Sequence, residues 1–135
     1  MDESTLWGHL KPELASLGKF QKVSDRFTPG IPDVLGCLSS RGVALELKQV
    51  KGVNTLKVKF RPGQLDWMKD WEEAGGLSLI VSSKGSTVYI HNWVHGLVLE
   101  SGLPLKEWED TCELVFTKDR KNKWRDLAEL IRGVV

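Results

Sequence analysis

Val43-Ala44-Leu45-Glu46-Leu47-Lys48-Gln49-Val50 alternates as a β-strand does. Successive strand side chains point to opposite faces. Val43, Leu45 and Leu47 therefore share the face turned to the core, and Glu46 and Lys48 project side by side from the other. Twelve residues separate Glu46 from the end of Gly30-Ile31-Pro32-Asp33, which puts a second carboxylate on the preceding strand. Two carboxylates and an ammonium presented together can hold a hard cation and a water beside a phosphate. The chemistry such a set serves is phosphodiester hydrolysis.

The flanking segments supply a frame for that strand. Upstream, Leu6, Leu10, Leu14 and Leu17 recur at helical spacing over Glu3 to Leu17, with Gly18 as the stop. Pro12 falls inside that helix and predicts a kink or a break. Phe20 to Ser24 reads as a short strand, followed by a turn-rich loop through Thr28-Pro29-Gly30. Asp33 to Ser39 and Val43 to Val50 form an antiparallel hairpin, because Ser39-Ser40-Arg41-Gly42 is too short for a parallel crossover. Lys51 to Phe60 is a basic loop with an extended arm at Lys57-Val58-Lys59-Phe60. Pro62 suits the first turn of a helix that ends at Gly75-Gly76 and carries Gln64, Trp67, Met68 and Trp71 on one face. Leu77 to Val81 is the continuous apolar run of a buried strand, and Ser86 to Ile90 is another strand. After Asn92 the pattern turns helical twice. The expected fold is α/β, a central mixed sheet flanked by helices, in one domain over 1–135 with a core at about 3–91 and a helical C-terminal extension at about 92–135.

Composition bounds the function classes. A chain of 135 residues is long enough for a real core, and no apolar run approaches the length of a membrane span, so no membrane partner is expected. Two cysteines, Cys37 and Cys112, have no metal-ligand spacing and point to a reducing, cytoplasmic setting, with Cys37 as a small buried hydrophobe. Net charge is only +1, yet the charges are segregated. Leu47 to Leu65 holds no acid but contains Lys48, Lys51, Lys57, Lys59 and Arg61, a stretch suited to phosphate contacts. Lys118, Arg120, Lys121, Lys123 and Arg125 form a second cluster.

In order and on these elements, Gly30-x-Pro32-Asp33, Glu46-x-Lys48 and Gln64 on a following helix resemble the PD-(D/E)XK nuclease superfamily. Within it the chain looks most like the VRR-NUC group, including small phage-encoded members, and the archaeal-type Holliday junction resolvases. The resemblance covers residues 3 to 91 and implies a restriction-endonuclease-like core. It also implies a Mg2+- or Mn2+-dependent endonuclease acting on DNA, branched DNA in particular, as a homodimer. By the same resemblance Asp33, Glu46 and the backbone carbonyl of Leu47 ligate the metal, and Lys48 orients the attacking water. Glu3 reaches the site from the first helix, and Gln64 supports Lys48 or the substrate phosphate. Lys51, Lys57, Lys59 and Arg61 contact DNA.

Other signals were weighed against this set. His91 and His95 have the i, i+4 spacing of a helical zinc site, but Asn92 stands where a metalloprotease carries its glutamate. Trp67 and Trp71 suit core packing better than base stacking. Trp7 is expected beneath the site, and Trp108 and Trp124 at an oligomer interface. Two alternatives come from other classes: a catalytically silent DNA-binding module using Lys51 to Arg61 for phosphates, against which the intact Asp33, Glu46 and Lys48 argue, and a subunit of a replication or recombination assembly docked through the tail. RNA is an alternative substrate, since a metal site acting on phosphate is largely indifferent to the sugar.

Overall fold

The architecture is that of a computed structural model describing residues 1–23, 30–119 and 123–133. Its elements are α1 (Glu3–Leu17), β1 (Lys19–Lys22), β2 (Val34–Leu38), β3 (Arg41–Gln49), β4 (Thr55–Leu56), α2 (Gln64–Glu73), β5 (Leu77–Lys84) and β6 (Thr87–Asn92). A 3-10 turn (Trp93–His95), α3 (Gly96–Ser101), β7 (Leu103–Pro104), α4 (Leu105–Asp110), β8 (Leu114–Thr117) and α5 (Lys123–Arg132) follow. Six strands form the central sheet in the order β1-β2-β3-β5-β6-β8, and β4 pairs with β7 in a small second sheet. Only β3 and β5 are parallel, with Glu46 opposite Ile80 and Lys48 opposite Ser82. The sheet is therefore mixed, as expected. Its β2–β3 hairpin turns through Ser39 and Ser40, both at positive φ (52° and 66°), the conformation that matches strand twist in a two-residue turn.

The alternation read in β3 divides the molecule. Val43, Leu45 and Leu47 join Leu79, Val81 and Ile90 in a first core, covered by Leu6, Leu10 and Leu14 of α1 and by Leu127 and Ile131 of α5. The opposite face carries a second core of Ile80, Tyr89, Met68, Leu99 and Trp108, which α2, α3 and α4 cover. Glu46 and Lys48 belong to that second face. Ser78 Oγ donates to the Met68 carbonyl at 2.9 Å and ties α2 to the sheet.

Several expectations need correction. Pro12 lies inside one continuous helix. Burial of Leu6, Leu10 and Leu14 contributes roughly 5–9 kcal/mol, which outweighs the roughly 3 kcal/mol of an interior proline. Cys37 is exposed rather than buried, because β2 next to the edge strand turns that side chain outward. Trp7 packs on the first core, across the sheet from Glu46 and Lys48. Trp108 is fully buried in the second core and so unavailable to an interface, which removes one support for the homodimer. The segment after Asn92 is helical with two added strands, β7, which pairs with β4, and β8, which pairs with β6 and extends the central sheet. Arg120, Lys121 and the Thr28-Pro29 turn lie outside the described residues.

His91 lies in strand β6, one residue before its end, instead of sitting on a helix, since Asn92 caps the 3-10 turn by accepting from the Val94 N–H at 3.1 Å. Its Nε2 donates to the Trp108 carbonyl at 2.9 Å, with Cys112 Sγ 3.2 Å away. Burial, opposed by the Trp108 hydrogen bond and helped by nearby His95, pushes the imidazole down to about 4. The unfolded chain takes up this proton near pH 6.5, so the contribution of neutral His91 is complete above that pH and disappears as pH falls toward 4. Urea titrations across this window should give a wild-type loss that exceeds that of His91→Gln by roughly 3 kcal/mol or less. Identical slopes for the two proteins would refute the assignment.

Candidate active site

The site lies at the C-terminal ends of the parallel pair β3 and β5, where open α/β sheets place their crevices. Glu46 is completely buried, and neither carboxylate oxygen has a hydrogen-bond partner. Burial first, and the neighbouring Asp33 carboxylate second, raise its pKa well above the ordinary carboxylate range, with Lys48 and Arg61 opposing. Asp33 sits just before β2, and its Oδ2 accepts the Leu47 N–H at 2.8 Å. The N–H and C=O of a strand residue leave by the same edge, so the Leu47 carbonyl also faces the Asp33 side.

Lys48 is 5% exposed and therefore needs partners. Its Nζ donates to Gln64 Oε1 at 3.0 Å, lies 3.9 Å from Glu46 Oε1, and stands 5.1 Å from the centre of the Phe60 ring. Gln64 is the first residue of α2, and its Oε1 also accepts the Arg61 N–H at 2.7 Å. One amide oxygen thus fixes both the buried lysine and the end of the basic arm. Phe60 is positioned in turn by Glu100 Oε2, which accepts its N–H at 2.8 Å.

The remaining residues of the expected set are distributed around a cleft of about 520 Å³ lined by Asp2, Glu3, Ser4, Lys48, Gln49, Lys51 and Lys59. Glu3 thus reaches the Lys48 cleft from the start of α1, although it is exposed. Among the described residues, no three His, Cys, Asp or Glu side chains come together as a metal-holding group, so Glu3 does not join Asp33 and Glu46 in one. Arg61 stands apart from the cleft, with its guanidinium 3.8 Å from Asp33 Oδ1 and largely in water. Leu56, Val58 and Phe60 point into the second core, while Lys57, Lys59 and Arg61 alternate with them outward. The basic stretch is therefore an extended arm with an apolar underside.

Sequence reading did not single out Phe60 or Ser82. Ser82 is buried in register with Lys48, and its hydroxyl has no partner. The end of the apolar run at Ser82 was the available signal. The Glu46 oxygens, which accept no hydrogen bond, the Asp33 carboxylate and the Leu47 carbonyl are all oxygen donors, the chemistry that would suit Mg2+ or Mn2+.

No family model matches the chain, and no curated protein matches it either. Among solved structures, the Holliday junction resolvase Hjc from Archaeoglobus fulgidus has 14% identity and a TM-score of 0.48, over 78% of this chain and 94% of that one. At such a distance the likeness transfers neither residues nor activity.

Two substitutions test this geometry. Gly30 has φ +89°, and a Cβ there would sit 2.5 Å from the Gly63 carbonyl oxygen, so the approach to Asp33 is pressed against the residue that precedes α2. Gly30→Ala should lower stability by more than about 1 kcal/mol in urea unfolding. Glu46→Met removes a buried carboxyl whose oxygens accept no hydrogen bond and which burial and Asp33 keep from ionising, so that it is a weak counter-charge for Lys48 3.9 Å away. In EDTA it should unfold above the wild-type temperature, by about 1–3 kcal/mol of added stability. A lower melting temperature would mean that Glu46 is satisfied in the folded protein.

Proposed function

We propose that this protein is a Mg2+- or Mn2+-dependent endonuclease that hydrolyses DNA phosphodiester bonds, with branched DNA such as a four-way junction as its preferred substrate. The observation that carries this reading is the buried Glu46 carboxyl, whose oxygens accept no hydrogen bond and which is set between Asp33 and Lys48. A buried acid left this way weakens the fold, and a cation held jointly with Asp33 and the Leu47 carbonyl would satisfy it. A metal bound there would polarise the phosphoryl oxygen and acidify a bound water.

The protein's own groups supply the rest. Lys48, held by Gln64, presents a compact positive charge toward the attacking water and the developing phosphorane charge. Burial of its stem keeps that charge in one place. Lys51 and Lys59 line the cleft and offer two contacts to the phosphates on either side of the scissile bond. Lys57 and Arg61 extend the same positive arm.

Resolving a junction takes two symmetric cuts, which a two-fold homodimer provides by geometry. The homodimer is accordingly part of this proposal.

The test is cleavage of labelled four-way junction, flap, single-stranded and duplex DNA, with Mg2+ or EDTA. Asp33→Ala and Lys48→Ala, each verified as folded, should lose about 100-fold or more of the metal-dependent rate. Lys48→Arg should not restore it, because a planar fork cannot replace a point charge in the same space. Full activity in either alanine variant would end the nuclease reading. Tight DNA binding without cleavage by the wild type would leave a binding module.

A further inference from the structure

Val53 is 82% exposed, the most exposed large hydrophobic side chain among the described residues. It stands at the tip of a short loop whose base is closed by a pair of hydrogen bonds. The Lys51 N–H donates to the Lys57 carbonyl at 2.8 Å, and the Lys57 N–H returns to the Lys51 carbonyl at 2.9 Å. The loop is also tight inside. Gly52 has φ +100°, and a Cβ there would meet the Thr55 carbonyl oxygen at 2.0 Å. Lys84 Nζ donates to the Gly52 carbonyl at 2.8 Å, and Leu56, just past the tip, is fully buried beside β7. A valine is thus held out in water on a fixed support.

Lys51 and Lys57 form the base of its loop and are exposed, as is Lys59 further along the arm. No acid occurs between Leu47 and Leu65, Glu100 meets the arm at the Phe60 N–H, and Lys51 and Lys59 line the cleft that contains Lys48. The nearest acids named in that lining, Asp2 and Glu3, come from the start of α1 on the opposite wall. An apolar tip on a loop with two lysines at its base fits a polyanion that also offers an apolar surface, as nucleic acid does where its stacked bases are exposed.

We infer that Val53 is a wedge that enters an interrupted base stack, so that the protein selects DNA already opened at a branch or nick. This rests on the nucleic-acid reading above and names the feature of the substrate that is recognised. Side chains that prise open intact steps are larger, and the opening itself is costly. A β-branched side chain as small as valine gains only where the step is already parted. The lysines supply affinity for any duplex, and the valine supplies the preference for an open one.

The experiment uses the full chain in EDTA, so that binding is read without cleavage. Its probes are a four-way junction, a nicked duplex and an intact duplex of one sequence, with 2-aminopurine beside the branch or nick. Wild type should bind the first two more tightly and change their 2-aminopurine fluorescence. Val53→Ser should weaken binding to those two about tenfold, the value of burying a valine-sized side chain, and leave the intact duplex unchanged. Lys57→Ala should weaken all three alike. Equal effects of Val53→Ser on all three DNAs, or none on any, would overturn the wedge. If wild type binds no DNA, the nuclease reading fails with it; if wild type binds and cleaves while Val53→Ser matches it, the wedge alone fails.

Discussion

A lysine ammonium buried at 5% exposure is the constraint on which the other parts of this structure depend. Left alone at such a depth, Lys48 would cost several kcal/mol. Its surroundings come from different parts of the chain: Gln64 Oε1 at the start of α2 accepts its hydrogen bond, the face of Phe60 comes from the basic arm, and Glu46 Oε1 on the same strand lies 3.9 Å away. Each of these is fixed by something further out. Gln64 also holds the Arg61 amide, and Glu100 holds the Phe60 amide. The helix, the arm and the strand therefore share one arrangement, and displacing any of them strips the lysine of a partner.

The two faces of the sheet carry unequal burdens. The first face, closed by α1 and α5, buries one polar side chain of β5, Ser83, whose hydroxyl donates to the Met1 carbonyl at 2.9 Å. On the second face a row of Glu46, Lys48, Ser82 and His91 interrupts the packing. Two of these four residues, Glu46 and Ser82, keep side-chain oxygens without partners. Both faces carry an apolar core, and the buried groups that weaken the fold are gathered on the second.

Much of this was legible in the sequence, for reasons that are local. The alternation at Val43 to Val50, the short Ser39-Ser40 turn and the apolar run from Leu77 depend on side chains a few residues apart, so period and spacing exposed them. The Gly30 to Asp33 stretch and Glu46 to Lys48 could be joined because the hairpin brings them together by its own register. What failed to be legible depends on distant contacts. Trp108 is buried because Tyr89 and His91 from β6 meet it edge-on. Cys37 faces water because of its place near the sheet edge, and the helical spacing of His91 and His95 was broken by a cap at Asn92. The cluster around Lys48 was half legible: Gln64 lay on a recognisable helix, while Phe60 and Ser82 gave only faint signals.

The parallel pairing of β3 with β5 also orders events in time. Asp33 and Glu46 are brought together by a hairpin with a two-residue turn, whose closure is local and fast. Gln64 reaches Lys48 only when the crossover through α2 has returned to lay Leu77 against Val43. A chain emerging during synthesis therefore assembles its paired carboxylates before it can secure its lysine. The last part of the site to become ordered is the part that holds the positive charge still.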